Sequence, residues 1–116
     1  MAIELNRDNY EQETSNGGLP VMVDFWGPLC GPCMALMPFV EEMEEEYRGK
    51  ARITKLNVTQ NRMLCAKLRV MTVPTFIFYK NGEENKRLTG ETVDQDKIRA
   101  AMEELFANGV CHRFSG

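Results

Sequence analysis

The 116-residue chain has the length and composition of one soluble globular domain. Hydrophobic residues make up 43% of it and charged residues 27%, which excludes a disordered chain. The net charge of −3, with scattered Lys and Arg residues, argues against a nucleic-acid-binding surface. We therefore expect a monomeric single domain over residues 1–116, in which residues 108–116 form a short C-terminal tail.

The chain has no stretch near the roughly 18 apolar residues that a membrane span requires. Its opening residues Met1–Glu4 lack the basic start and apolar run of an export signal. We therefore predict a cytoplasmic location without membrane association. The cysteines at positions 30, 33, 65 and 111 are too unevenly spaced for a disulfide-stapled secreted module, so the close pair indicates redox chemistry or a metal site.

The first half of the chain alternates strand and helix patterns. Ile3–Leu5 fits a short strand and Asp8–Thr14 a polar helix, which the turn-forming run Ser15–Gly18 ends. The apolar run Val21–Trp26 lies between glycine- and proline-containing segments and predicts a buried central strand. From Cys33 onward, apolar residues recur at helical spacing opposite an acidic face, which predicts a long helix directly after this strand.

The second half of the chain continues the alternation of strand and helix patterns and ends it with a hairpin. We expect a strand over Ala51–Val58, a short helix over Asn61–Leu68 and a strand over Thr75–Tyr79. Asn81-Gly82 then indicates a tight hairpin turn to a strand at Lys86–Thr89, because both turn residues tolerate positive backbone angles. An antiparallel pair therefore follows the parallel part of the sheet.

A last helix completes the predicted fold. Asp94 can cap it, Ile98, Met102 and Leu105 form its apolar side, and Asn108-Gly109 is its stop signal. No repeat or low-complexity linker divides the chain. The elements should therefore form an α/β fold, with one central mixed sheet of four to five strands and helices on both faces.

The strongest motif is Cys30-Gly31-Pro32-Cys33, at the junction between the buried strand and the long helix. Unpaired N–H groups and the partial positive charge of a helix N-terminus stabilise a thiolate there, so we expect Cys30 to be the reactive cysteine, with a lowered pKa. The three-residue offset places Cys33 on the same side of the helix, within reach of a disulfide. Pro32 fixes a helix-compatible backbone angle. The pair is thus suited to thiol–disulfide exchange.

These residues resemble the thioredoxin family. The resemblance rests on Val23-Asp24-Phe25-Trp26, on the motif at residues 30–33 and on Thr72-Val73-Pro74-Thr75, with Lys55–Val58 and Gly90 at matching spacing. It covers most of the chain. It implies the thioredoxin fold and a protein-disulfide reductase that supports cell redox homeostasis, without a bound cofactor or metal.

The resemblance also implies roles for residues outside the motif. It implies that Asp24 lies buried near the cysteines and takes a proton from Cys33, with Lys55 tuning a carboxyl pKa that desolvation raises. It further implies that Pro74 is the family's cis proline and that the backbone of Val73 presents an edge to an extended substrate peptide. The implied substrate-binding residues are Trp26, Leu29, Gly31, Pro32, Val73, Pro74 and Gly90.

The sequence departs from the family beside the motif. Leu29 stands where most members have a second tryptophan, which keeps an apolar lip but changes partner preference. Met34 replaces a common basic residue, so we expect Cys30 to be slightly less acidic than in other members. Met34 can serve either core or rim packing or a docking patch.

Several residues also have plain structural interpretations. The cysteine pair could be half of a zinc site, although Cys65 and Cys111-His112 are not arranged as a second half. Cys65 fits a small core residue, and the Cys111-His112 tail fits a solvated segment. Asp24 could be a buried acid that only accepts hydrogen bonds, and Lys55 a strand-edge lysine with its charge in water.

The functional expectation is a dithiol reductant of disulfide-containing protein substrates. A separate reductase must restore the dithiol, and the resemblance implies either an NADPH-dependent flavoprotein or a ferredoxin-linked enzyme. Two alternatives remain: a disulfide oxidase or isomerase on the same fold, and a redox-silent binding subunit in which Leu29 is the modified contact.

Overall fold

The computed structural model describes residues 3–15 and 18–115, with side chains up to Phe106. The strands are β1 (Ile3–Glu4), β2 (Val21–Trp26), β3 (Arg52–Asn57), β4 (Thr75–Lys80) and β5 (Glu83–Thr89). The helices are α1 (Tyr10–Ser15), α2 (Gly31–Glu46), α3 (Arg62–Leu68) and α4 (Gln95–Ser115), with a 3₁₀ turn at Val58–Gln60. Asn16 and Gly17 of the predicted first turn lie outside the described residues. No helix of the described chain is long and apolar enough to cross a membrane.

The strands form one mixed sheet in the order β1-β3-β2-β4-β5. Strands β1, β3 and β2 run parallel, whereas β4 is antiparallel to both of its neighbours. This arrangement confirms the predicted α/β class, the mixed sheet and the antiparallel strand pair that follows its parallel part. Strand β2, the predicted central strand, lies in the middle of the sheet.

Strand β2 separates two apolar cores. Its odd-numbered residues, such as Val23, pack with Tyr10 of α1 and Cys65 of α3, so Cys65 is the buried core residue that the sequence predicts. The even-numbered Met22 packs on the other face with residues of α2 and α4. Because side chains alternate along a strand, Asp24 shares the face of Met22 and lies on the side that α2 covers.

The hairpin between β4 and β5 confirms the predicted turn and adds an irregularity. Asn81 and Gly82 both have positive φ angles, 55° and 80°. Farther along, the register passes from Phe78↔Lys86 to Tyr79↔Glu84, so β5 has one more residue than β4 at this point. Such a β-bulge shifts the alternation of side chains along the strand that contains the extra residue.

Helix α4 begins as predicted but ends later. The Asp94 carboxylate accepts the backbone N–H of Lys97 at 2.9 Å, which confirms the predicted cap. The helix then continues to Ser115, so the predicted stop at Asn108-Gly109 is wrong. A glycine inside a helix costs only about 1 kcal/mol relative to alanine, which is too little to end a helix by itself. The side chains of the Cys111-His112 pair lie outside the described part of the chain.

Candidate active site

Cys30 occupies the junction between β2 and α2. Its extended backbone, with φ −91° and ψ 106°, makes it the N-cap of α2, and its Sγ accepts the backbone N–H of Cys33 at 3.2 Å. Cys30 is partly exposed. An N–H donor and the positive end of the helix dipole therefore stabilise negative charge on a sulfur that an external disulfide can reach.

Cys33 lies one turn farther into α2 and is almost completely buried, with 1% of its surface exposed. It forms a disulfide with Cys30 across a Cα–Cα distance of 5.2 Å, so the predicted reach is confirmed. Pro32 is in the first turn of the helix, where its missing N–H removes no helical hydrogen bond. The two sulfurs therefore differ in access: Cys30 is open to a partner, and Cys33 is open mainly to Cys30.

Asp24 is a buried carboxylic acid on the central strand β2. It is 1% exposed, and neither carboxyl oxygen has a hydrogen-bond partner among the described residues. Burial raises the pKa of this carboxyl to about 7, since a desolvated carboxylate is costly. The structure thus gives no support to the alternative in which Asp24 serves as a hydrogen-bond acceptor.

Asp24 belongs to a row of charged residues that crosses three strands. Lys55 of β3 is the registered neighbour of both Asp24 on β2 and Glu4 on β1. Registered neighbours point to the same face of a sheet. The positive charge of Lys55 lowers the pKa of Asp24 and the negative charge of Glu4 raises it, although burial is the largest cause of the shift. The sequence pattern did not single out Glu4, because strand pairing cannot be deduced from one strand alone.

Lys55 also contacts the aromatic residue that ends β2. Its Nζ lies 6.0 Å from the centroid of the Trp26 ring, a weak cation–π distance. The Trp26 Nε1–H is buried and has no hydrogen-bond partner among the described residues. Lys55 is partly exposed, with its ammonium beside the indole ring and its charge acting on the Asp24 carboxyl.

The segment before β4 contains the other predicted site residues. The Val73–Pro74 peptide bond is cis, as the resemblance implies. The Pro74 carbonyl accepts the backbone N–H of Gly90 at 2.9 Å, and Gly90 has a φ of 97°, which side chains disfavour. Thr75 Oγ1 donates to the Thr72 carbonyl at 2.7 Å. These bonds fix the backbone on both sides of the proline.

Three exposed apolar side chains flank the motif or belong to the segment before β4. Leu29 is 99% exposed, Met71 86% and Met34 46%. A shallow pocket of about 130 Å³ is lined by Val58, Val70, Met71, Thr72 and Val73. Met71 was not among the predicted site residues, although it directly precedes the Thr72-Val73-Pro74-Thr75 motif. Exposed apolar patches of this kind favour contact with another protein.

The fold and the cysteine pair define a redox domain. One sulfur is exposed at the N-terminus of a helix, and the second is buried one turn later, in disulfide contact with the first. A pair in this arrangement exchanges with disulfides of other molecules. The chain is accordingly a thiol–disulfide oxidoreductase, and comparison with known proteins identifies its family.

The family model Thioredoxin matches residues 1–104. A thioredoxin of Acetoanaerobium sticklandii is 40% identical over 101 residues, which cover 87% of this chain and 96% of that protein. Thioredoxins of Pyropia yezoensis and Haemophilus influenzae are 38% and 36% identical, over 71% and 70% of this chain and over 77% and 76% of their own lengths. The chain belongs to the thioredoxin family and functions as a protein-disulfide reductase.

Proposed function

We propose that Cys30 is the attacking thiolate and Cys33 the resolving thiol of this reductase. The observation that supports this assignment most strongly is their difference in access: Cys30 is partly exposed at the helix N-cap, whereas Cys33 is 1% exposed. An attacking sulfur must reach a disulfide in another protein. A resolving sulfur needs to reach only the first cysteine.

The proposed exchange has two steps. The Cys30 thiolate attacks one sulfur of the substrate disulfide, forms a mixed disulfide and releases the first substrate thiolate. Cys33 then loses its proton, attacks Cys30 Sγ and releases the second substrate thiolate. The substrate gains two electrons, which leave the dithiol as it becomes the Cys30–Cys33 disulfide, and the two product thiolates take up protons.

Asp24 is the proposed acceptor of the Cys33 proton. It lies on the face of β2 that α2 covers, and its pKa of about 7 allows both protonation states at neutral pH. Lys55, registered beside it, stabilises the carboxylate after proton transfer. We include Lys55 as a tuning residue because its charge lowers the pKa of Asp24.

The proposed docking surface combines an apolar rim with an exposed backbone edge. Leu29 and Met71 supply large exposed side chains, and the Val73–Pro74 peptide bond between Met71 and β4 is cis. We call residues Val70–Pro74 the docking loop. An extended substrate segment can hydrogen-bond to such a backbone edge whatever its sequence. The other proposed binding residues of this surface are Trp26, Gly31, Pro32 and Gly90.

The oxidised protein must receive two electrons before another cycle. The proposed donor is a dedicated reductase, either an NADPH-dependent flavoprotein or a ferredoxin-linked enzyme. We propose a cytoplasmic setting because that compartment maintains thiols in the reduced state and favours reduction of protein disulfides.

Turnover of a protein disulfide by cysteine variants tests this function. With dithiothreitol as the electron supply, we expect wild type to reduce insulin, and Cys30→Ser and Cys33→Ser to lose turnover. Cys65→Ser is the matched control. Cys65 is buried in the core on the α3 side of the sheet, so this variant should retain turnover. Full turnover by Cys30→Ser would contradict the assignment, because another sulfur would then be the attacking one, whereas a wild type that reduces no insulin would favour a redox-silent binding role.

A further inference from the structure

Arg87 of β5 reaches the end of helix α3. Its Nη1 donates to the Arg69 carbonyl at 3.0 Å, and its Nη2 donates to the Leu68 carbonyl at 3.0 Å. Carbonyls at the end of a helix have no partner within the helix, and here the Arg87 side chain supplies donors to two of them. The guanidinium thus joins the edge of the sheet to the residues that directly precede the docking loop.

A second pair of hydrogen bonds fixes the guanidinium itself. Glu84 accepts from Arg87 Nε at 2.8 Å and from Nη2 at 2.9 Å, a two-point contact that holds the planar group in one orientation. The Arg87 side chain is 25% exposed and that of Glu84 is 40% exposed. Partial burial reduces solvent screening, although it does not remove it.

The β-bulge makes this contact possible. In a regular strand, residues three apart point to opposite faces. Here Arg87 is registered with Ile77 and Glu84 with Tyr79, and both partners belong to the core on the α3 side. The extra residue of β5 therefore places Glu84 and Arg87 on one face, toward α3. No local sequence pattern predicts this pairing.

The backbone at the contact adopts a conformation that needs support. Arg69 has a φ of 61°, which is unfavourable for a residue with a side chain. This left-handed residue turns the chain out of α3 and into the docking loop, and its carbonyl is the one that Arg87 Nη1 contacts. The direction in which the loop leaves the helix thus depends on a residue that Arg87 holds.

We propose that Arg87 is a positioning residue for substrate docking. Held by Glu84, it fixes the start of the docking loop and thereby the backbone edge at Val73 that protein substrates bind. This inference rests on the proposed docking surface. Arg87 contacts neither cysteine in this arrangement, so it acts on the binding of a protein substrate and leaves the exchange of sulfurs unchanged.

The test compares a protein disulfide with a small aromatic disulfide that needs no docking loop. For Arg87→Gln we expect the KM for insulin to rise about fivefold, with kcat and the rate toward the small disulfide within about twofold of wild type. Arg87→Lys should resemble Arg87→Gln, because one ammonium group cannot reproduce the fork geometry. Hydrogen exchange at the amides of Met71 and Thr72 should accelerate in both variants.

The matched control is Lys86→Gln. Lys86 forms an ion pair with Glu104 of α4 at 3.0 Å, on the other face of the same strand, so its loss weakens an edge contact without touching the loop. We expect its insulin KM to remain at the wild-type value. An unchanged KM in both Arg87 variants would overturn the inference, as would equal slowing toward both substrates. Either result would leave the cysteine assignment intact, because Cys30→Ser tests that assignment separately.

Discussion

Asp24 shows how one residue connects stability with function. Its carboxyl has a pKa of about 7, compared with 3.8 for an unperturbed aspartate, and burial is the main cause. Well below pH 3.8, Asp24 is protonated in both the folded and the unfolded chain, and its burial has no ionic cost. As the pH rises toward 7, the unfolded chain ionises while the folded protein retains the proton. The folded state therefore loses stability through this window, and the loss levels off above it.

Replacing Asp24 with a neutral residue should remove this pH dependence. The compared quantity is the free energy of unfolding of Asp24→Asn minus that of wild type. We expect this difference to be more favourable to the variant at about pH 8 than at about pH 4, by a few kcal/mol. Urea unfolding of the oxidised proteins at both pH values measures the difference, and contributions of other groups cancel between the two proteins. An equal stability difference at both pH values would contradict the raised pKa.

The row of charges across β1, β3 and β2 predicts shifts of opposite sign. Lys55→Met removes an attractive charge and should raise the pKa of Asp24, whereas Glu4→Gln removes a repulsive one and should lower it, each by roughly half a pH unit. Carboxyl NMR titration measures both values. Lys67→Met is the control. Because α3 lies on the other face of the sheet, this substitution should leave the pKa of Asp24 nearly unchanged. Shifts of the same sign would exclude the row as the source of tuning.

At the scale of elements, helix α4 depends on its first turn. The Asp94 carboxylate satisfies one N–H group that the helix itself cannot, and the next turns place Ile98 and Met102 in the core. We expect Asp94→Ala to lower the free energy of unfolding by about 1 kcal/mol in urea titration. Asp96→Ala, in the same turn and exposed, should cost less. Equal losses in the two variants would show that general charge at the helix start, rather than the cap, stabilises α4.

The elements also show where the local sequence pattern is sufficient to predict the bounds of a strand or helix. Strand β2 has the predicted bounds, Val21–Trp26, because a continuous apolar run with glycine and proline nearby has few other solutions. The extent of α4 was mispredicted because one glycine opposes a helix only weakly. The bulge in β5 could not be predicted, since it is a property of two paired strands and leaves no periodicity in either.

At the scale of the whole molecule, the sheet brings together residues that are distant in sequence. The motif at residues 30–33 was predictable because its spacing on a helix start has direct chemical meaning. Asp24, Lys55 and Pro74 could be assigned only through the family resemblance, because their proximity to the motif depends on strand order. Glu4 and Arg87 were missed because their relevance follows from cross-strand register.

The two cores explain why proton transfer at Asp24 and positioning of the docking loop can be separated. Helix α2 covers the face of the sheet that holds Asp24, while α3, on the other face, leads into the docking loop. Replacing Arg87, which points to the α3 face, should therefore affect substrate binding, and replacing Asp24, on the α2 face, should affect proton transfer. The variants of Arg87 and Asp24 test these two effects independently.

Mass spectrometry of the trapped intermediate tests most directly which sulfur attacks the substrate and which one resolves the mixed disulfide. Reduced Cys33→Ser, mixed with a protein disulfide, should accumulate a mixed disulfide at Cys30, because no second thiol is present to resolve it. Cys30→Ser should accumulate none, because Cys33 is buried. A mixed disulfide trapped at Cys33 in the Cys30→Ser protein, with none at Cys30 in Cys33→Ser, would contradict the assignment of the attacking thiolate.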